Sequence, residues 1–230
     1  MRDLLYLAYK RMEENGGRSI QSLKSAIERV CYKWNFEKRT RLALIRRIEA
    51  IKELRFYGKS FDVESIVVPG RALIVDLSKG LNEFEKRVYV GLLMKRLFEA
   101  RKAKRIPPLL IIVEESHLFA PQDEDTYSKI MMRRIAREGR KFGIGLGVVS
   151  QRIVGLDKDV ISQCGTKFIL RIDSKTDLDL LKPYIGLATE EDIRRIPYLP
   201  TGVALVTGQA TKYPILVSIR PKKSKHYQFL

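Results

Sequence analysis

The chain has 230 residues, 45% of them hydrophobic, which is enough for one sizeable core and a smaller appendage. No apolar run approaches the roughly 18 residues of a membrane span, and the charged start MRDLLYLAYKRMEENGG does not resemble a secretory signal. The net charge of +17 suits a polyanionic partner such as nucleic acid. Two distant cysteines, Cys31 and Cys164, and two histidines give no zinc-site spacing. We therefore expect a reduced, cytoplasmic protein without a membrane partner.

Residues 1–60 are predicted to form a basic helical segment, with 15 Lys/Arg against 7 Asp/Glu. Turns are expected at Asn15–Gly17 and around Asn35, which divides the segment into three helices. Apolar residues at helical spacing mark the inward face of each helix: Leu4, Leu5, Ala8, Tyr9 and Met12, then Ile20, Leu23, Ile27 and Val30, then Leu42, Ile45, Ile48, Ile51 and Leu54.

Residues 61–220 alternate strand and helix patterns, which predicts an α/β domain with a mostly parallel sheet, and 221–230 form a basic tail. Asn82 with Glu85 resembles a capping box, and it opens a helix with Phe84, Val88, Leu92 and Leu97 inward. Ser174 with Asp177, and Thr189 with Asp192, cap two short helices. The remaining predicted elements are a buried strand RALIVDLS (71–78), a strand at 109–113, a helix at about 125–141, strands at 143–151 and 166–172, and a final hairpin from GVALVTG and YPILVSI.

The stretch LLIIVEESHLFAP, at 109–121, carries the clearest chemistry. Pro107 and Pro108 discourage a helix, and the aliphatic run without polar alternation is typical of a strand buried on both faces. Glu114 and Glu115 follow at its carboxyl end, pointing to opposite sides if the strand alternation continues. Ligands bind at that edge of open α/β sheets. Two adjacent carboxylates there fit a magnesium–phosphate site, in which one holds the metal and the other polarises water.

A nucleotide site of this kind also needs a phosphate-binding loop. The single G-K-S, Gly58-Lys59-Ser60, fails because the position five residues before its Gly-Lys pair is Glu53 rather than Gly. It also follows a helix and precedes an extended stretch, which is the reverse of what that loop requires. The sequence therefore carries half of a nucleotide site.

Three segments in order, LLIIVEESHLFAP, RRIAREGRKFGIGLGVVSQR and ISQCGTKFILRI, resemble the C-terminal ATPase region of the HerA family. These are archaeal and bacterial hexameric DNA translocases related to FtsK, and the resemblance covers about residues 70–220. It implies a RecA-like P-loop ATPase core, with residues 1–60 as part of a helical insertion. The phosphate loop would precede Met1, so the chain would be a truncated or separately encoded part that is inactive alone. Scarce Asn with abundant Lys, Arg and Glu favours a thermophile.

The resemblance also implies roles for individual residues. Glu114 stands where the family coordinates Mg²⁺, and Glu115 stands where it polarises the water that attacks ATP. Gln151 matches a polar sensor, and Arg140 matches an arginine finger that reaches into the neighbouring subunit's site. Arg137 and Lys141 are alternatives for that finger and for nucleotide contact. The implied partners are double-stranded DNA, five further copies in a hexamer, and a NurA-type nuclease in DNA end processing.

Other interpretations remain open at this stage. Arg133, Arg137 and Arg140 follow i, i+4, i+7 and would equally form a solvated or DNA-binding helix face. Because the loop is missing, the chain could be a non-catalytic basic DNA-binding or adaptor module with an ATPase-derived fold. A magnesium-dependent nuclease is a weaker alternative, since no further strand-end acid with a following Lys completes such a site. His117 is expected to pack or support the site, and Cys164 to be buried and inert.

Overall fold

The computed structural model of the chain describes residues 2–54 and 62–223. Gly58-Lys59-Ser60 and most of the basic tail lie outside the described residues. The chain divides into two compact units, Met1–Phe61 (the helical unit) and Asp62–Leu230 (the α/β unit). None of the helices among the described residues combines the length and apolar character needed to cross a bilayer.

The helical unit contains the three predicted helices, α1 (Arg2–Glu14), α2 (Ile20–Lys33) and α3 (Lys38–Lys52). Ser19 caps α2 by accepting a hydrogen bond from the Ser22 amide at 3.0 Å. The predicted inward faces are correct only in part, because one stripe per helix is enough to fill so small a core. The buried set is Leu4, Ala8, Met12, Ala26, Ile27, Val30, Cys31, Leu44 and Ile48. The predicted core residues Leu5, Tyr9, Leu42 and Ile51 are instead exposed.

The α/β unit supplies the remaining elements. Its helices are α4 (Val63–Ile66), α5 (Glu83–Lys102), α6 (Ser116–Phe119), α7 (Tyr127–Phe142), α8 (Lys158–Gln163), α9 (Lys175–Leu181) and α10 (Glu190–Arg195), with single 3-10 turns at Lys182–Tyr184 and Ile196–Tyr198. Its strands are β1 (Leu109–Val113), β2 (Ile144–Val148), β3 (Thr166–Ile169), β4 (Val203–Gly208) and β5 (Ile215–Ser218).

Strands β1 and β2 pair in parallel, with Leu109 opposite Ile144 and Val113 opposite Val148. One face of this pair packs on α5, α7 and α8 through a core that includes Phe98, Met132 and Ile135. The other face, called here the open face, leaves Leu110 64% and Ile112 61% exposed. The expectation that β1 is buried on both faces is therefore wrong: helices of the described chain cover a single face.

The prediction that segment 71–78 is a buried strand is wrong in both respects. It forms no strand, and Leu73, Ile74 and Val75 are exposed, Ile74 by 87%. A strand is defined by its ladder of inter-strand hydrogen bonds, and no strand of the described residues pairs with this segment. Leu73, Ile74 and Val75 are apolar and favour burial, but the other described residues leave them exposed.

The predicted capping boxes at Asn82–Glu85 and Thr189–Asp192, and the cap at Ser174, are all present. The inward face of α5 is wrong in part, because Phe84 and Leu92 are exposed whereas Leu97 is buried. Close packing selects the buried face: a Cβ on Gly91 would lie 2.6 Å from the Tyr127 ring on α7. The face of α5 that contains Gly91 therefore packs on α7, and Val90, Met94 and Phe98 are buried there in place of Phe84 and Leu92.

The predicted hairpin is present as β4 and β5, which pair antiparallel, and β3 pairs antiparallel with β4. Strand β3 ends at Ile169, three residues earlier than expected. Gly208 ends β4 at φ +100°, and a Cβ there would lie 2.1 Å from the Gly165 carbonyl oxygen. That approach requires glycine.

Candidate functional site at the carboxyl ends of β1 and β2

The two predicted carboxylates follow β1 directly, but they do not continue its alternation. The ladder runs on for one step, since the Val149 amide donates to the Val113 carbonyl and the Ser116 amide to the Val149 carbonyl, both at 3.0 Å. Glu115 then adopts left-handed backbone angles, φ 46° and ψ 48°. A non-glycine residue in that region costs about 1–2 kcal/mol and commonly marks a functional position. Glu114 is exposed and Glu115 half-buried.

His117 links the Glu115 carboxylate to the end of β2. Its Nδ1 lies 3.0 Å from Ser150 Oγ and 3.4 Å from Glu115 Oε2. The single Ser150 hydroxyl proton is donated to the Arg152 carbonyl at 2.6 Å, so the Ser150 oxygen accepts from His117. The proton of a neutral His117 ring is therefore on Nδ1 and is donated to Ser150 Oγ. The structure gives His117 a supporting position and adds Ser150, whose only sequence signal was its place before Gln151.

Gln151 lies in the segment after β2, at the same edge of the sheet as Glu114 and Glu115, and it is exposed. Asp177 holds this segment from α9 by accepting the amides of Ile153 at 2.6 Å and Val154 at 2.7 Å. Burial alone would raise the pKa of Asp177, but the hydrogen bonds from Val154, Ser174 and Ile153 outweigh burial and lower it. The sequence pattern predicts Asp177 only as part of the cap of α9.

A second buried carboxylate, Asp157, ties the segment after Glu115 to the segment after Gln151. Its amide donates to the Ala120 carbonyl at 2.9 Å, and its side chain caps α8 through the Val160 amide at 3.1 Å. Arg133 on α7 binds both carboxylate oxygens, at 2.9 and 2.6 Å. Burial would raise the pKa of Asp157, but Arg133, the Val160 amide and Lys129 together lower it. Arg133 is thus structural.

The three candidate finger residues lie on α7, and the structure separates them by their partners. Arg137 donates to Asp159 at 3.0 Å. Arg140 and Lys141 are exposed, and among the described residues their side chains have no ion-pair or hydrogen-bond partner. Both occupy the last turn of α7, which packs on the start of β2: a Cβ on Gly139 would lie 2.6 Å from the Ile144 carbonyl oxygen.

Arg140 and Glu115 therefore lie toward opposite ends of the same strand pair. Five residues of parallel strand span about 16 Å, which is beyond the reach of an arginine side chain. The structure brings Glu114, Glu115 and Gln151 to one edge and leaves Arg140 and Lys141 at the other.

The carboxylates at this edge fit a magnesium ion that takes most of its oxygen ligands from water and substrate phosphates. Among residues 2–54 and 62–223, no three His, Cys, Asp or Glu side chains converge to form a complete metal site. Mg²⁺ is commonly held by one or two carboxylates, with waters and substrate phosphates completing its six ligands. A single exposed carboxylate such as Glu114 matches that mode.

This fold also occurs in a solved structure. The genome packaging NTPase B204 from Sulfolobus turreted icosahedral virus 2, in complex with ATP-gammaS, superposes with a TM-score of 0.53 at 16% identity, covering 70% of this chain and 73% of that one. No protein-family model matches the chain. This likeness defines the class by its fold: an α/β core like that of this NTPase, with two acids directly after β1.

The sequence comparison identifies the family. The chain is 38% identical over 201 residues to the DNA double-strand break repair helicase HerA of Pyrococcus furiosus, covering 72% of this chain and 36% of that protein. It is 35% identical over 167 residues to the protein of the same name from Saccharolobus solfataricus, covering 70% and 33%. The chain belongs to the HerA family, as the resemblance predicted, and it spans about a third of the length of these curated relatives.

Proposed function

We propose that this chain supplies the water-activating and subunit-bridging residues of a HerA-type ATPase that translocates duplex DNA during end processing. The observation that carries the proposal is the left-handed Glu115 at the end of β1, with His117 Nδ1 3.4 Å from its carboxylate and 3.0 Å from Ser150 Oγ on the neighbouring strand end. The name shared by the relatives, DNA double-strand break repair helicase, supports the DNA substrate.

Glu115 is proposed to orient and polarise the attacking water. The His117 ring lies beside its carboxylate, 3.4 Å from Oε2, and is proposed to limit the directions in which that carboxylate can turn. Gln151, two residues beyond the last ladder hydrogen bond on β2, is proposed to contact the γ-phosphate or that water. Glu114 is proposed to hold Mg²⁺, mostly through water; the bound metal would neutralise charge on the phosphates.

Arg140 is proposed to act in the site of a neighbouring copy. It lies at the far end of the strand pair from Glu115, it is exposed, and it has no partner among the described residues. Its neighbour Arg137 is already engaged by Asp159. A permanently charged guanidinium that cannot reach its own site is suited to the transition state of an adjacent site in a ring. A homo-hexamer is the assembly that the family resemblance implies.

The phosphate-binding loop is proposed to come from a segment other than the described residues and Gly58-Lys59-Ser60. The open face of β1–β2 and the unpaired segment 71–78 support this, because their exposed aliphatic side chains are where further strands and helices of such a core would pack. A NurA-type nuclease partner follows from the resemblance alone.

The proposal is tested first on the chain itself. With Mg²⁺, ATP and duplex DNA, the pure 230-residue chain should turn over ATP at no more than background, because its sequence has no G-x-x-x-x-G-K-[ST] pattern for a loop that cradles the phosphates. Robust turnover would overturn the need for an external loop and redirect attention to Gly58-Lys59-Ser60.

The second test uses a chimera in which the matched part of this chain, 72% of it, replaces the corresponding segment of the Pyrococcus furiosus relative. Glu115→Gln should keep ATP bound and nearly stop hydrolysis, and Arg140→Ala should lower kcat by roughly 10³- to 10⁵-fold. Mixing the two inactive variants should restore turnover, since some sites then combine an intact Glu115 with a neighbour's intact Arg140. Glu138→Gln and Arg194→Ala are the matched controls. No recovery in verified mixed rings would argue against action in trans.

A non-catalytic DNA-binding or adaptor role is the second candidate. It is favoured by one observation, the lack of a recognisable phosphate loop in the sequence. An active chimera that loses turnover on Glu115→Gln would exclude that candidate.

A further inference from the structure

The helical unit carries a groove that the proposed ATPase chemistry does not use. It has a volume of about 540 Å³ and runs between the C-terminal halves of α1 and α2. Leu7 and Val30 contribute apolar lining, and charged and aromatic side chains surround them. The size is within the range of small-molecule and nucleotide sites, but the groove is open along its length rather than enclosed.

Four cations line the groove: Lys10 and Arg11 from α1, Arg29 and Lys33 from α2. All are exposed, and none has an ion-pair partner among the described residues. Two carboxylates, Glu14 and Glu28, also line it, so the cations outnumber the acids by two to one. Unpaired cations that converge on one concave surface attract a polyanion.

Two aromatic side chains stand at the same groove. Tyr32 is 94% exposed and Trp34, which follows the last residue of α2, is 61% exposed. The Lys33 ammonium lies 5.9 Å from the centre of the Trp34 ring, within cation–π range. Flat aromatic faces beside unpaired cations are the elements with which proteins hold single-stranded nucleic acid, since unpaired bases stack on the rings and phosphates contact the cations.

We propose that this groove binds a single-stranded nucleic-acid segment, with a base stacked on Trp34 and phosphates on Arg29 and Lys33. Duplex DNA cannot present a base face to Trp34, because its bases are already stacked and paired. The proposal concerns a different unit from the strand-end site and requires neither ATP nor Mg²⁺, so it can fail without affecting the proposed ATPase.

Trp34 is the single tryptophan of the chain, so fluorescence excited selectively at tryptophan, which avoids the ten tyrosines, reports on this groove. Titrating the full chain with an unlabelled oligothymidylate should quench Trp34 emission, with the same midpoint as the anisotropy change of a labelled copy. Duplex DNA of equal length should bind with little quenching. Equal quenching by duplex, or unchanged emission when anisotropy shows saturation, would overturn the proposal.

Two double variants test which cations bind the phosphates. Arg29→Ala with Lys33→Ala should weaken single-strand binding and reduce the slope of log affinity against log salt by about 1.4, at about 0.7 per phosphate. The control removes two exposed cations of α3, Arg39→Ala with Arg46→Ala, and leaves the same net charge. Equal loss in both pairs would show general electrostatics and refute the groove. Trp34→Ala should weaken binding by about five-fold or more, and Trp34→Phe by less.

Discussion

Replacing Asp157 with Asn isolates the charge that ties the two strand-end segments together. Asn keeps an acceptor for the Val160 amide, so the cap of α8 is retained. It removes the negative charge from a fully buried position that Arg133 contacts at 2.6 and 2.9 Å. Lys129, whose side chain is 3% exposed, also loses a carboxylate 3.8 Å away. Two cations would then face a neutral amide.

Breaking a buried ion pair by removing one partner costs roughly 3–5 kcal/mol. The low end applies, because the Arg133 side chain keeps 31% exposure and can turn toward water. Lys129 keeps the carbonyls of Gln122 and Glu124, each at 3.0 Å. We expect a loss of about 3 kcal/mol in the free energy of unfolding of the α/β unit, which is about 6–12 °C in Tm.

The assay is urea and thermal unfolding followed by circular dichroism. The matched control is Asp159→Asn, which removes exposed ion pairs to Arg137 at 3.0 Å and to Arg133 at 3.4 Å. It should cost no more than about 1 kcal/mol. If the Asp157 and Asp159 variants differ by less than about 0.5 kcal/mol, the buried charge does not tie the segments as inferred.

Three further predictions concern pH, the site and the sheet. Asp157 and Asp177 have lowered pKa values in the folded chain. The stability they contribute is therefore complete above the unfolded-state pKa of about 3.9 and is lost as the pH falls through their folded pKa values. Asp157→Asn should reduce the loss of unfolding free energy at acid pH, and an unchanged loss would contradict this. In the active chimera, His117→Ala should lower kcat up to about 100-fold with little change in KM for ATP. A lower kcat together with a higher KM would instead indicate a folding defect. Gly208→Ala should lower the free energy of unfolding by about 1–3 kcal/mol more than Gly186→Ala does, because both glycines have positive φ but a Cβ at Gly186 meets open space. Equal melting temperatures for the two variants would refute the close contact with Gly165.

Local rules were enough for the elements whose causes are local. The capping residues Asn82, Ser174 and Thr189 place helix starts correctly, because a side chain that accepts an amide three residues on acts within one turn. The aliphatic run after Pro107 and Pro108 correctly predicts β1, and the two acids follow it at the edge of the sheet where the segment that contains Gln151 leaves β2.

Burial was decided by partners that a local pattern does not specify. Aliphatic composition made β1 and the segment 71–78 appear covered on every side, whereas the described chain covers one face of β1 and, in that segment, leaves Leu73, Ile74 and Val75 exposed while Leu77 packs against the core. The roles of the α7 arginines were also beyond sequence spacing. Arg133, Arg137 and Arg140 have equivalent spacing on one helix, and only the fold brings Asp157 and Asp159 against the first two. The sequence alone determined which residues carry charge and that β1 ends just before two acids. Tertiary packing decided which charges are already neutralised and which, like Arg140, have no partner among the described residues, because burial and ion pairing depend on residues distant in the chain.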